Sequence, residues 1–273
     1  MKKILAAVAI AVALASITAA AQTVFDGTWK GVVGKINLSD RPSTFSFRPG
    51  TYECVSCDVK LKVKADGTNQ RAEGNPYLDT LAVTIIDENA VEMVTRKDGR
   101  EVNRLRRVVS DSGMSMTEEF KTTSPRNGEI RTGTITYKRI AGDPDGVHAV
   151  SGSWLPVAIK GHSDDVVLVT YKAEGKMMNL SASTGETYSA NMDGSESLHA
   201  GDPGVTSVAV KLIGKNVLEK ISRRDGKVVA VTKTTVAADG NTAIVEWEDK
   251  LNGSSGNYAL VKLSGAGLPA RTN

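Results

Sequence analysis

Apolar and polar residues alternate with a period of two along most of this chain. Val59-Lys60-Leu61-Lys62-Val63-Lys64 places valine and leucine on one side and lysine on the other, then stops at Ala65-Asp66-Gly67. That is the pattern of a half-buried strand followed by a turn. Residues 81–86 and 90–95 read as the next two strands, linked through Asp87-Glu88-Asn89. Lys97-Asp98-Gly99-Arg100 then leads into a strand over residues 101–109. Asp-Gly between β-rich runs predicts a tight hairpin, because the turn needs positive φ at both central residues. Residues 114–122 and 132–140 complete the series. Beyond the extreme N-terminus, no segment has the period of an amphipathic helix.

The series is then written a second time. Asp66-Gly67, Gly74 and Pro76 recur 127 positions later as Asp193-Gly194, Gly201 and Pro203. At the same spacing, Ala82-Val83, Glu92, Arg96, Asp98-Gly99, Val109, Gly113 and Glu119 return as Ala209-Val210, Glu219, Arg223, Asp225-Gly226, Val236, Gly240 and Glu246. This period is far longer than a solenoid unit, so it marks a duplicated domain. The repeats are expected over residues 22–145 and 146–273, divided at the turn-rich Gly142-Asp143-Pro144-Asp145-Gly146. So short a link implies that the two domains touch. Each repeat shows seven or eight strands with short connections. Closure removes exposed sheet edges, so the expected fold is all-β: two tandem antiparallel up-and-down barrels.

Composition places this fold in a compartment. Residues 1–21 read as a cleaved signal peptide, with Lys2 and Lys3, an apolar run over residues 4–17, and Ala19-Ala20-Ala21 before Gln22. The run is short and alanine-rich, unlike a transmembrane anchor, and no later stretch is apolar enough to span a bilayer. Export through a Sec-type signal implies a periplasmic or secreted protein. The 34 basic and 31 acidic residues are spread over both repeats, without the clustered basic surface that nucleic acid requires.

Each repeat opens on a glycine-x-tryptophan, Gly27-Thr28-Trp29 and Gly152-Ser153-Trp154. Each closes on a strand carrying a cation, Arg139 and Lys262. This pairing resembles the lipocalins and the wider calycin barrels, in which the tryptophan plugs one end and the cation lies across its ring. The surrounding text, notably Tyr52-Glu53-Cys54-Val55-Ser56-Cys57 and Arg224-Asp225-Gly226-Lys227-Val228-Val229, is similar to exported bacterial lipocalin-like proteins. The resemblance implies a barrel able to hold a small apolar ligand, with Gly27, Trp29, Arg139, Gly152, Trp154 and Lys262 as closing residues. The chain departs from lipocalins in lacking the long helix after the barrel.

Reactive chemistry is sparse. Cys54 and Cys57 are the two cysteines. In an exported chain a local disulfide is the first expectation. A thioredoxin-like site needs the pair at a helix start, and zinc needs about four ligands. Ungapped alignment sets the cysteines against Ser181 and Thr184. His148, His162 and His199 fall in separate segments, as solvated loop residues. His162-Ser163-Asp164-Asp165 contains triad residue types, but neighbours in sequence cannot converge as a triad. Arg96, Lys97, Arg100, Arg104, Arg106 and Arg107 form the densest basic run, read as a solvated hairpin face with Glu92, Glu101, Glu118 and Glu119 nearby. Glu92/Glu219 and Glu119/Glu246 recur as strand surface. Phe120 and Trp247 occupy equivalent positions and are candidate barrel lining. No metal or cofactor is implied.

The leading expectation is a non-enzymatic exported barrel protein binding a small hydrophobic molecule. A ligand-free structural module of the envelope is the alternative. A thiol–disulfide protein acting through Cys54 and Cys57 is the third.

Overall fold

The computed structural model describes residues 23–37, 41–57, 59–123, 128–143, 145–161 and 168–263. The expected signal peptide and the His162 loop lie outside them. Twenty strands and no helix occur among the described residues, so no helix is long and apolar enough to cross a membrane.

The strands form two antiparallel barrel-shaped sheets of ten strands each. This is the expected all-β class, with more strands than the seven or eight expected per repeat. The first strand, β1 (Gly27–Asn37), is followed by β2 (Ser43–Arg48), β3 (Thr51–Cys54), β4 (Leu61–Lys64), β5 (Gln70–Arg71) and β6 (Thr80–Ile85). Then come β7 (Ala90–Lys97), β8 (Arg100–Val109), β9 (Ser115–Thr123), β10 (Ile130–Gly142) and β11 (Gly152–Gly161). The second series runs β12 (Leu168–Glu174), β13 (Met177–Ala182), β14 (Thr187–Asn191), β15 (Asp193–Ala200) and β16 (Ser207–Ile213). It ends with β17 (Val217–Arg224), β18 (Lys227–Val236), β19 (Thr242–Asp249) and β20 (Ser255–Lys262).

The sheets do not follow the sequence boundary at residue 145. Strand β1 leaves its own repeat and closes the second barrel between β12 and β20, with Trp29 opposite Val169 on one side and Lys262 on the other. Strand β11, from the second repeat, fills the matching place in the first barrel, between β10 and β2. The repeats have exchanged their opening strands. The first barrel is therefore the contiguous stretch β2 to β11, set into the second barrel between β1 and β12. The periodicity could not foresee this. The two opening strands carry the same Gly-x-Trp signature, so each suits either barrel.

The local chemistry of the turns is as the sequence implies. Asp98 and Asp225 take φ of 51°, followed by Gly99 and Gly226 at 74° and 79°. Lys97 then pairs with Arg100, and Arg224 with Lys227, across two-residue hairpins. The register repeats as well. Val83 faces Met93, Val91 faces Arg107 and Arg107 faces Glu118 in the first barrel. In the second, Val210 faces Lys220, Leu218 faces Thr234 and Thr234 faces Val245.

Two departures matter. Asp193-Gly194, expected as a turn, begins β15, which carries the sheet on from β14 to β16. Its counterpart β5 has two residues. The first sheet therefore has a seam between β4 and β6, bridged by Asp66 opposite Thr84 and by the Gly67 N–H donating to the Val83 carbonyl at 2.8 Å. The second barrel closes fully.

Each barrel has its own core. Phe25 and Trp29 pack with Met178, Val208, Val210 and Leu260, while Val150 and Trp154 pack with Phe47, Val83, Val91 and Met116. Burial of these side chains is the main favourable term in folding, and each repeat supplies one tryptophan to the other's core.

Candidate functional site

The tryptophans close one end of each barrel. Trp29 donates its indole N–H to the Phe25 carbonyl at 2.7 Å, and Trp154 does the same to Val150 at 2.8 Å. The Arg139 guanidinium lies 4.0 Å from the Trp154 ring centroid, and the Lys262 ammonium 4.9 Å from that of Trp29. Each cation thus covers the tryptophan of the other repeat. Arg139 also donates to the carbonyls of Gly113, Ser151 and Ala149, at 2.5, 2.7 and 2.6 Å. Lys262 reaches one carbonyl, that of Val24, at 3.1 Å. Gly152 must be glycine: its φ is +130°, and a Cβ there would meet the Ala141 carbonyl oxygen at 2.5 Å.

The opposite ends share one cavity of about 840 Å³. The first barrel contributes Phe45, Cys54, Cys57, Leu61, Arg107 and Tyr137; the second contributes Leu180, Tyr188, Lys220, Thr234, Trp247 and Tyr258, among others. At its edge the Tyr77 hydroxyl rests on Gly204, 2.0 Å from where a Cβ would stand. Tyr77 and Gly204 are 127 positions apart. Equivalent residues in contact mark an axis of approximate two-fold symmetry, as in an isologous dimer.

The two halves of the cavity differ in charge. In the first barrel Arg107 and Glu118 form a buried pair, Nε to Oε2 at 2.7 Å, with side chains 8% and 9% exposed. The guanidinium carbon lies 3.7 Å over the Phe45 ring, and Nη1 is 3.4 Å from the Tyr52 hydroxyl. Tyr137 is hydrogen-bonded to Glu118. Burial opposes the Arg107 charge, but Glu118, Tyr52 and Tyr137 outweigh it and hold its pKa above the usual arginine range. The basic run is therefore not a solvated face throughout: Arg107 points inward. Arg104 stays outward, paired with Glu92 at 2.7 Å and Glu101 at 2.8 Å.

In the second barrel the inward positions opposite Val210 and Val245 are Lys220 and Thr234. Burial pushes the Lys220 ammonium below the ordinary lysine range, against the pull of Glu186 and Asp202. His199 is lowered by burial and then by Lys220. Burial raises Tyr171, Tyr188 and Tyr258, the last to about 12, so all three keep their protons at neutral pH.

The remaining sequence candidates fall as follows. Trp247 lines the cavity; Phe120 has inward parity but is not among the lining side chains. Each lies over a glycine on the neighbouring strand, Phe120 on Gly133 and Trp247 on Gly256, where a Cβ would come within 2.5 and 2.8 Å of the ring. Glu219 and Glu246 flank Lys233 on the outer surface of the second barrel. His148, read as a solvated loop residue, does lie in a loop and is half-buried: its ring is 5.0 Å from Phe47, and Nε2 is 2.7 Å from the Asp87 carbonyl oxygen. His199, likewise read as solvated, borders the cavity.

Cys54 and Cys57 are joined in a disulfide, with Cα atoms 5.5 Å apart. Cys54 ends β3 and Cys57 lies in a bend, away from the helix start that would activate a thiol. Hairpin register sets Cys54 opposite Phe45 and Leu180 opposite Tyr171. The second-repeat counterpart of Cys54 is thus Leu180 rather than Ser181, and the ungapped alignment slips by one residue here. A one-residue slip exchanges inside for outside. Because the bond closes a very short loop, Cys57→Ser should cost about 2 kcal/mol or less. Urea unfolding of both forms measures this.

The cavity's polar members escape a reading along the sequence and emerge from strand parity. Arg107 shares its face with buried Val109, and Glu118 with buried Met116. Tyrosines that look scattered converge once the strands close. Among the described residues no group of three or more His, Cys, Asp or Glu is gathered to hold a metal. No protein-family profile matches the chain, and no curated protein matches it.

Proposed function

We propose that this is a non-enzymatic, exported lipocalin-like protein, periplasmic or secreted, whose paired barrels bind a small hydrophobic molecule. The observation that carries the reading is the cavity of about 840 Å³ between the barrel mouths. Its size falls within the range of small-molecule sites, roughly 300–1,000 Å³, and aliphatic and aromatic side chains with a few polar groups are the usual lining. The tryptophan ends are plugged, so the mouths supply the space. The signal-like N-terminus supports export, and the disulfide suits an oxidising compartment.

Native mass spectrometry of the full chain, with a panel of fatty acids, long-chain alcohols and sterols, tests the reading. Stoichiometric uptake of at least one apolar compound is expected. Ala182→Trp, which fills lining space, should abolish uptake while leaving the far-UV circular dichroism of the sheets unchanged. Absence of uptake across the whole panel would contradict the proposal.

A further inference from the structure

The two barrels place their internal charges differently. Arg107 of the first barrel has an internal anion, Glu118, on the facing position of the next strand. The same two positions in the second barrel are Thr234 and Val245. Lys220 stands instead where the first barrel has Met93, each opposite a buried valine of the preceding strand. Among the described residues Lys220 has no hydrogen bond or ion pair. The carboxylates that act on it from a distance are engaged elsewhere. Glu186 accepts from the Thr184 hydroxyl, and Asp202 accepts from the Gly204 N–H at 2.8 Å. Beside it, His199 is hydrogen-bonded to the Val205 backbone, while its Nδ1 is buried without a partner. Both Lys220 and His199 border the shared cavity.

A cation drawn partly out of water without a partner is costly, and nature usually pairs it. Among the described residues the chain pairs the inward cation of the first barrel and leaves the half-buried Lys220 of the second without a hydrogen bond or ion pair. We propose that the second barrel's half of the cavity receives the carboxylate head of an amphipathic acid at Lys220 and His199, with the apolar tail among the tyrosines and aliphatic side chains of the mouth. This rests on the ligand-binding reading above and names the ligand's class. One ammonium and one imidazole match a single negative charge. The nearby Glu186 and Asp202 disfavour a doubly charged head, and an alcohol would leave the ammonium without a counter-charge.

The test compares dodecanoic acid, dodecanol and dodecylamine on the full chain by titration calorimetry. The acid should bind at least about tenfold more tightly than the alcohol, the scale of a charge-assisted contact, and the amine most weakly. Lys220→Met, which installs the side chain the first barrel carries at this place, should bring the acid-to-alcohol ratio to within about threefold. Lys220→Arg should keep the preference, showing that charge rather than folding is at issue. Equal binding of acid and alcohol by the natural chain, or an undiminished preference in Lys220→Met, would overturn the inference while leaving the cavity reading intact. Failure of all three probes to bind would overturn the inference, while the cavity reading falls only if the wider panel above fails as well.

Discussion

Glu118→Ala is expected to destabilise the first barrel by about 3–5 kcal/mol, because it leaves the Arg107 guanidinium buried without its anion. The pair is 2.7 Å apart and both side chains are less than a tenth exposed. Replacing both partners by what the second barrel carries, Arg107→Thr with Glu118→Val, should cost far less. That barrel holds Thr234 and Val245 in the same register within a continuous core. Removing both charges removes the desolvation cost, which the natural pair offsets by mutual attraction and the single variant leaves uncompensated. Urea unfolding of the single and double variants measures the difference. A single variant as stable as the natural chain would mean that Arg107 finds water or another partner.

The second large effect is crossed. Trp29→Ala, in the first repeat, should loosen the second barrel, and Trp154→Ala, in the second repeat, should loosen the first. Truncating a fully buried tryptophan costs about 3–5 kcal/mol, and these are 1% and 0% exposed. Amide exchange resolves where the loss falls. Trp29→Ala should speed exchange in β12 and β20, which flank its strand, and spare β2 and β10. Trp154→Ala should do the reverse. Faster exchange confined to the repeat that carries the mutation would contradict the exchange of strands.

Much of this architecture is legible in the residues. Period-two alternation and Asp-Gly turns place β6 to β9 and β16 to β19 closely, since a half-buried strand writes its two faces directly into the text. The Gly-x-Trp signatures and the closing cations mark the plugged ends. What cannot be read is which barrel each signature enters. Gly27-Thr28-Trp29 and Gly152-Ser153-Trp154 present the same surface, so neither signature names the barrel it closes. Short polar strands such as β2, Ser-Thr-Phe-Ser-Phe-Arg, also escape the pattern, because hydroxyl residues alternate weakly with apolar ones.

The candidate site is only partly legible for a related reason. The disulfide and Trp247 stand out in sequence. Arg107, Glu118 and Lys220 look like surface charges until strand parity turns them inward. Their meaning then comes from comparing barrels: the place of Arg107 is neutral in the second barrel, as Thr234, while the place of Met93 is charged there, as Lys220. Duplication supplies an internal control, in which a shared residue serves the fold and an unshared inward-facing charge points to a specific role. His199, opposite Tyr188 on the adjoining strand, is unshared in the same sense, since the first repeat has Ala72 there.

The exchange of opening strands sets the two mouths around one cavity, and cross-linking in solution tests it most directly. Lys30 is the Cα partner of Val261 in the second barrel. Without exchange, it would occupy the place of Leu155, opposite Lys138. In the monomeric fraction, a short bismaleimide should join the cysteines of Lys30→Cys/Val261→Cys within one chain and fail to join those of Lys30→Cys/Lys138→Cys. The opposite result, with residue 30 captured by residue 138, would show two separate barrels that each keep their own first strand.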